Sequence, residues 1–231
     1  INEKETIKSK SLNKSFVEQY TWLSKRYFKI KTNDRINSIV MLLQAPIIAI
    51  LICIIFDEIN SAVPFITALS AIWFGTNNAA REIVSELPIF KRERMFNMDI
   101  SPYVLSKISV LAFFSIIQSA IFIGILSLRY SSSNLVAYNA PFSAFIWMSF
   151  ISIAATFLGL LLSASLSTAE KVMTVVPIVL IPQIMLAGLV AKINTIVVEL
   201  ISYLTFTRWG TEGFNAIQDQ IIVSQISQMG T

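Results

Sequence analysis

The 231-residue chain has no histidine, and that absence removes a histidine general base, a Ser-His-Asp triad and any histidine-ligated metal centre. It has one cysteine, Cys53, inside an apolar run, so neither an internal disulfide nor a cysteine-cluster metal site can form. Seven glycines at positions 75, 124, 159, 188, 210, 213 and 230 never fall into the spacing of a phosphate-binding Gly-x4-Gly-Lys loop. Charge is scarce as well: 14% of residues against about 25% in a soluble domain.

The missing charge is missing from particular places. Five stretches, Ile36–Phe56, Ala62–Ala80, Tyr103–Leu128, Ala144–Leu166 and Val172–Val190, make up 108 residues and contain a single charge, Lys107. Roughly 20 apolar residues of helix cross a hydrocarbon core about 30 Å thick. Mean hydropathy is +0.67. The expectation is an all-α polytopic membrane protein with five spans (36–56, 62–80, 103–128, 144–166 and 172–190). Without acids in any span, proton relays and voltage sensing are disfavoured.

The net charge of +4 and a pI near 9.2 resemble a nucleic-acid signal until the bases are located. Nine Lys/Arg precede the first span and four, Arg81, Lys91, Arg92 and Arg94, follow the second. An inside N-terminus therefore puts fourteen bases in the cytoplasm and three outside. The expected protein is multi-pass, in a plasma or inner membrane, with no nucleic-acid partner. Lys107 is expected to snorkel to the interface.

Segment 1–14 is polar and Lys/Ser/Asn-rich and reads as a linker; starting at Ile1 rather than Met, it implies a preceding domain. Over 15–33, Phe16, Tyr20, Leu23 and Tyr27 form one apolar stripe with Lys25, Arg26 and Lys29 elsewhere. Trp22 adds an interfacial aromatic. This is expected to be an amphipathic helix lying on the inner leaflet, the alternative being a helix packed on a soluble domain. Residues 81–94 alternate acids and bases at helical spacing. They read either as a solvated cap or as a short helix passing force to a cytoplasmic partner, seated by Leu87, Ile89 and Phe90. Segment 193–231 is expected to be an outer re-entrant or loop region, since Ile193–Leu204 is too short and too charged to cross and Gln218–Gln228 reads as a mobile polar stretch.

Ser85-Glu86-Leu87-Pro88-Ile89-Phe90-Lys91-Arg92-Glu93 resembles the Glu-x-Pro-x-Phe/Tyr-x-Arg-Glu loop of the G subfamily of ABC transporters, the White-type and multidrug half-transporters. Trp22-Leu23-Ser24-Lys25-Arg26, Tyr103 to Lys107, Gly188-Leu189-Val190 and Thr207-Arg208-Trp209-Gly210 are similar to flanking features of that group in the same order.

The resemblance implies a type-2 ABC exporter transmembrane bundle, working as a dimer and coupled to ATP-binding cassettes that carry ATP and Mg. This chain would itself hold no cofactor and no catalytic site. It implies a coupling helix at 81–94 with Glu82, Glu86, Arg92, Glu93 and Arg94 engaging the cassette. It further implies a cavity for a hydrophobic small molecule or lipid at Phe74, Asn78, Ile181, Gln183 and Ile184, and a plug at Leu189 and Val190. A cassette and a sixth span would lie outside these residues.

The residues themselves leave other roles open. Phe74 could simply be packed, Asn77 and Asn78 could bond across helices, and Gln44, Gln118 and Gln183 could join helices or, for Gln183, touch a ligand. Pro46, Pro177 and Pro182 are expected to kink their spans. The competing reading of the whole is an ATP-independent channel or scaffold. An intramembrane enzyme is disfavoured for want of an acid/base constellation.

Overall fold

A computed structural model describes residues 16–57, 60, 62–95, 98–130, 141–187 and 196–229. All the regular structure among them is helical: α1 (Phe16–Asn33), α2 (Arg35–Ile55), α3 (Ala62–Ala79), α4 (Leu87–Arg94), α5 (Ile100–Tyr130), α6 (Pro141–Ser165), α7 (Ala169–Met185), α8 (Ile196–Ser202) and α9 (Phe206–Met229). Local chemistry sets several starts. Asp34 caps α2 by accepting from the Asn37 backbone N–H, and Thr168 does the same for α7 through Lys171. Pro88 and Pro141 occupy first turns, where the missing N–H costs nothing. Pro46, Pro177 and Pro182 lie inside α2 and α7 and leave carbonyls there without their usual donors.

The bundle is organised around α3. Thirteen of its eighteen residues are buried, which is why it can carry Thr67, Ser70, Thr76 and Asn78 without facing lipid. Its partner is α6, and the two backbones nearly touch. A methyl group added at Gly159 would stand 2.5 Å from the Thr76 carbonyl oxygen and 2.8 Å from the Ala79 methyl. One added at Gly75 would collide with the Ser152 carbonyl and the Ala155 methyl. Small residues bring helices this close in apolar surroundings because dispersion contacts between backbones replace those of long side chains. Nearer the start of α3 and two turns from Gly75, Gly210 of α9 meets Ala68, and the Trp147 indole of α6 covers Gly213 while donating to the Gly210 carbonyl at 3.1 Å.

Among the described residues, three helices, α2, α5 and α6, are long and apolar enough to cross a membrane. At 1.5 Å per residue, α2 measures about 31 Å and α5 about 46 Å, so α5 exceeds a 30 Å core by three turns. The remaining two expected spans are α3, with 18 residues, and α7, with 17; each is shorter than or less apolar than those three. α2 turns Met41, Ala45, Ala49 and Ile52 inward and leaves Ile36, Val40, Leu43, Ile47, Ile50 and Ile54 exposed. That pattern belongs to a bundle solvated by lipid.

Three expectations are revised. The stripe on α1 is not left for a membrane surface: Leu23 and Tyr27 are buried with Gln19, the Tyr20 hydroxyl donates to Ser109 at 2.8 Å, and Phe28 stacks on Phe113 and Phe114 of α5. Only Phe16 of the stripe stays half exposed. Residues 81–86 are turns, and the helix of the 81–94 connection is confined to Leu87–Arg94. The polar stretch Gln218–Gln228 continues α9, whose backbone is helical to Met229. There the Gly-bearing first half, seated on α3 and α6, nucleates turns that the polar composition alone would not.

Gly75→Ala and Gly159→Ala should each lower stability by about 2 kcal/mol or more, because a methyl group meets backbone that cannot give way. Gly124→Ala, where nothing lies within 4 Å, should be neutral. Thermal unfolding of the detergent-solubilised protein checks both, and equal midpoints for all three variants would contradict the close α3–α6 contact.

Candidate functional site

Two regions merit description as sites: the connection between α3 and α5, and an apolar groove beside α3.

The connection begins where α3 stops. The N–H groups of Ile83 and Val84 both donate to the Ser163 hydroxyl of α6 at 3.0 Å, so the turn is held by the helix that packs α3. Its acids then point away from solvent. Glu82 accepts from the Tyr27 hydroxyl and pairs with Lys31, both on α1. Glu86 pairs with Lys107 of α5 at 2.6 Å. Glu93, on α4, accepts both arms of the Arg26 guanidinium, at 2.5 and 3.2 Å. Such a fork fixes orientation as well as distance. Phe90 closes the inner face against the Tyr103 ring, with centroids 4.6 Å apart.

Lys107 therefore does not snorkel. Its side chain is almost fully enclosed, with the ammonium 3.6 Å from the centre of the Tyr27 ring and paired to Glu86. A cation so placed gains from the ring face as well as from the carboxylate. Tyr27 is held protonated: its hydroxyl is pushed well above its usual value of 10, first by burial and then by the Glu82 carboxylate. Two lysines, Lys31 and Lys107, with Tyr27, Glu82 and Glu86 thus join α1, the turn and α5 in a single polar cluster.

Of the five residues expected to engage a cassette, Glu82, Glu86 and Glu93 are spent on this chain's own cations, while Arg92 and Arg94 remain exposed. The lone charge among five apolar stretches was the available signal for a buried pair, since an unpartnered ammonium there would be costly. Tyr27 and Tyr103 gave no such signal.

The groove has a volume of about 410 Å³ and is lined by Ile48 of α2, by Ile66, Leu69, Ser70 and Trp73 of α3, and by Pro177, Leu180, Ile181 and Ile184 of α7. The Ser70 hydroxyl donates to the Ile66 carbonyl, so its proton is taken, and the other polar side-chain group of the lining is the indole N–H of Trp73. Ile181 and Ile184 line this groove. Phe74 does not: it is enclosed, its ring 5.9 Å edge-on from Phe122, and no face is open to a ligand. The aromatic that reaches the groove is its neighbour Trp73, 38% exposed. The i, i+3, i+4, i+7 spacing of Ile66, Leu69, Ser70 and Trp73 marks that face in the sequence. Asn78 is likewise turned inward, donating to Gln118 at 2.5 Å, and Gln118 in turn donates to the Met41 carbonyl, so the pair joins α3, α5 and α2. Gln183 is buried on α7 away from the groove lining. Leu189 and Val190 lie outside the described residues. No cluster of residues that could hold a metal ion occurs among the described residues.

Comparison with known proteins places the chain as a whole. The sequence profile of the ABC-2 type transporter family matches residues 18–218. Over 157 residues, 66% of this chain, the sequence is 26% identical to an ABC transporter ATP-binding/permease protein of Mycobacterium tuberculosis. The aligned part is 18% of that protein's length, so this chain spans only a small share of the relative it matches.

Glu86→Gln should destabilise the protein by about 3–5 kcal/mol, because it strands a buried ammonium. Adding Lys107→Met should recover most of that loss. Denaturation of the single and double variants in detergent tests the pairing, and additive losses would refute it.

Proposed function

The chain belongs to the ABC-2 type transporter family, and from that premise we propose that it is the permease half of an ATP-driven exporter in the G-subfamily manner. It works as a dimer, its N-terminus is cytoplasmic, and ATP and Mg are bound by a cassette that docks on the 81–94 connection. The carried compound is hydrophobic or amphipathic. Support for a cassette comes from the mycobacterial relative, whose name joins ATP-binding and permease functions.

The observation that carries this reading is the triple anchoring of the connection. Glu82, Glu86 and Glu93 tie it to α1 and α5 through Lys31, Lys107 and Arg26. A push on α4 therefore cannot be absorbed locally; it moves α1 and the overhanging inner turns of α5 with it. Two discrete arrangements of such a packed unit are what an alternating-access cycle requires. On the substrate side, the groove at Trp73, Ile181 and Ile184 offers a largely apolar surface, and its volume falls within the usual range for ligand sites of about 300–1,000 Å³. Walled by α2, α3 and α7, it would admit a compound from the bilayer.

The test uses the complete transporter in proteoliposomes, with a fluorescent phospholipid or an amphipathic dye as cargo. Arg26→Glu and Glu93→Arg should each cut cargo moved per ATP at least tenfold while ATP hydrolysis persists, and the swapped pair should restore it. Unchanged transport in both single variants would remove the coupling role. Trp73→Ala should raise the half-saturating cargo concentration several-fold, whereas Phe74→Leu should act only through stability.

A further inference from the structure

Residues 81–94 alternate acids and bases in sequence as though the connection neutralised itself, yet the fold separates them. Its three acids turn inward and are neutralised by cations from other helices. Its four bases, Arg81, Lys91, Arg92 and Arg94, are all exposed, and among the described residues none of them is in an ion pair. On α4 the division follows the helical period. Leu87, Phe90 and Glu93 recur every three residues and form the inner face, while Lys91, Arg92 and Met95 lie across from them with Ile89. Ile89 is 43% and Met95 76% exposed. The outer face of this short helix thus carries only positive charge around two large apolar side chains.

We propose that this face is made for an acidic, apolar-floored groove on the ATP-binding cassette: carboxylates at the groove's rim meet Lys91 and Arg92, and an apolar floor takes Ile89 and Met95. The inference rests on the coupling reading above and adds the partner's chemistry to it. An arrangement of this kind divides the work. Fully desolvated apolar contacts hold the helix, and rim charges steer it and set its register. It also explains why the acids are turned inward: left outside, each would repel the partner's carboxylates.

The alternative occupant is a layer of anionic lipid headgroups, and the geometry favours protein. Phe90 packs on Tyr103, which stands 27 residues from the far end of α5 at Tyr130, or about 40 Å along the helix. With a 30 Å hydrocarbon core, α4 lies about 10 Å past its edge, at the outer limit of the headgroups. Ile89 and Met95 would there face water rather than acyl chains.

The experiment measures ATP hydrolysis by the complete transporter in nanodiscs as salt is raised from 50 to 500 mM, for the wild type, Lys91→Glu/Arg92→Glu and Ile89→Ala. Since salt shortens the reach of exposed charges to a few ångströms, the two charge states should respond with opposite signs. Permease-dependent hydrolysis by the wild type should fall as salt rises. The double variant should start at least tenfold lower and recover as salt screens the repulsion.

A double variant as active as the wild type, or one whose loss ignores salt, overturns the acidic groove. If Ile89→Ala still abolishes coupling, the cassette reading survives that failure. If neither variant changes coupling, both fall. Loss that appears only in nanodiscs containing anionic lipid, and not in purely zwitterionic ones, assigns the face to the membrane and overturns the proposal. Thermal unfolding of each variant identifies any that fail to fold, and Lys91→Gln/Arg92→Gln, without repulsion to screen, should show no recovery with salt.

Discussion

The close approach of α3 and α6 is the contact from which everything else takes its position. Gly75 and Gly159 face each other's backbones, and no larger side chain fits at either place. In water such contacts would add little beyond the burial of apolar surface. In hydrocarbon, where lipid tails solvate side chains as well as other helices do, backbone proximity is a main source of association. It places α3 at the centre of the bundle, and a central helix need not be uniformly apolar. Hence α3 can hold Asn78 and Thr76, and through Asn78 and Gln118 it engages α5 and α2.

The same pair of helices fixes the inner connection. Four residues beyond Gly159, Ser163 accepts the two N–H groups that open the 81–86 turn. The turn leaves α3 in one direction only, and that direction presents Glu82 and Glu86 to Tyr27, Lys31 and Lys107. A serine hydroxyl on one helix thereby decides which way the acids of a distant loop face. The result is a cap of α1, α4 and the first turns of α5 that is stiff because its charges are paired and partly desolvated. The groove by Trp73 lies farther along α3 and has no charge at all. Polar and apolar functions are thus separated along one helix axis.

Much of this was legible beforehand. Five apolar stretches with one charge among them, an amphipathic helix ahead of them and a charged connection after the second correspond to α2, α3, α5, α6, α7, α1 and the 81–94 region. Periodicity is a local property, so it survives into the fold. What could not be read was the direction of each face. The stripe on α1 was assigned to a membrane surface but is covered by α5, because a sequence shows that a face is apolar without showing what covers it. Phe74 and Trp73 are adjacent and equally suited to hold a ligand. A rotation of about 100° between neighbours on a helix sends one to Phe122 and the other to the groove.

By itself, then, the amino-acid order determined the solvent: where charge is absent lipid must be, and every backbone polar group there must be satisfied within helices. It determined the positions of the helices and, through the connection between α3 and α5, the group of transporters to compare. The tertiary structure decided the pairing. Which of seven closely spaced charges on 81–94 are consumed internally and which are left for a partner depends on Arg26, Lys31 and Lys107, up to 67 residues away. Pair energies fall with distance in space and not along the chain, so only the folded bundle could sort them.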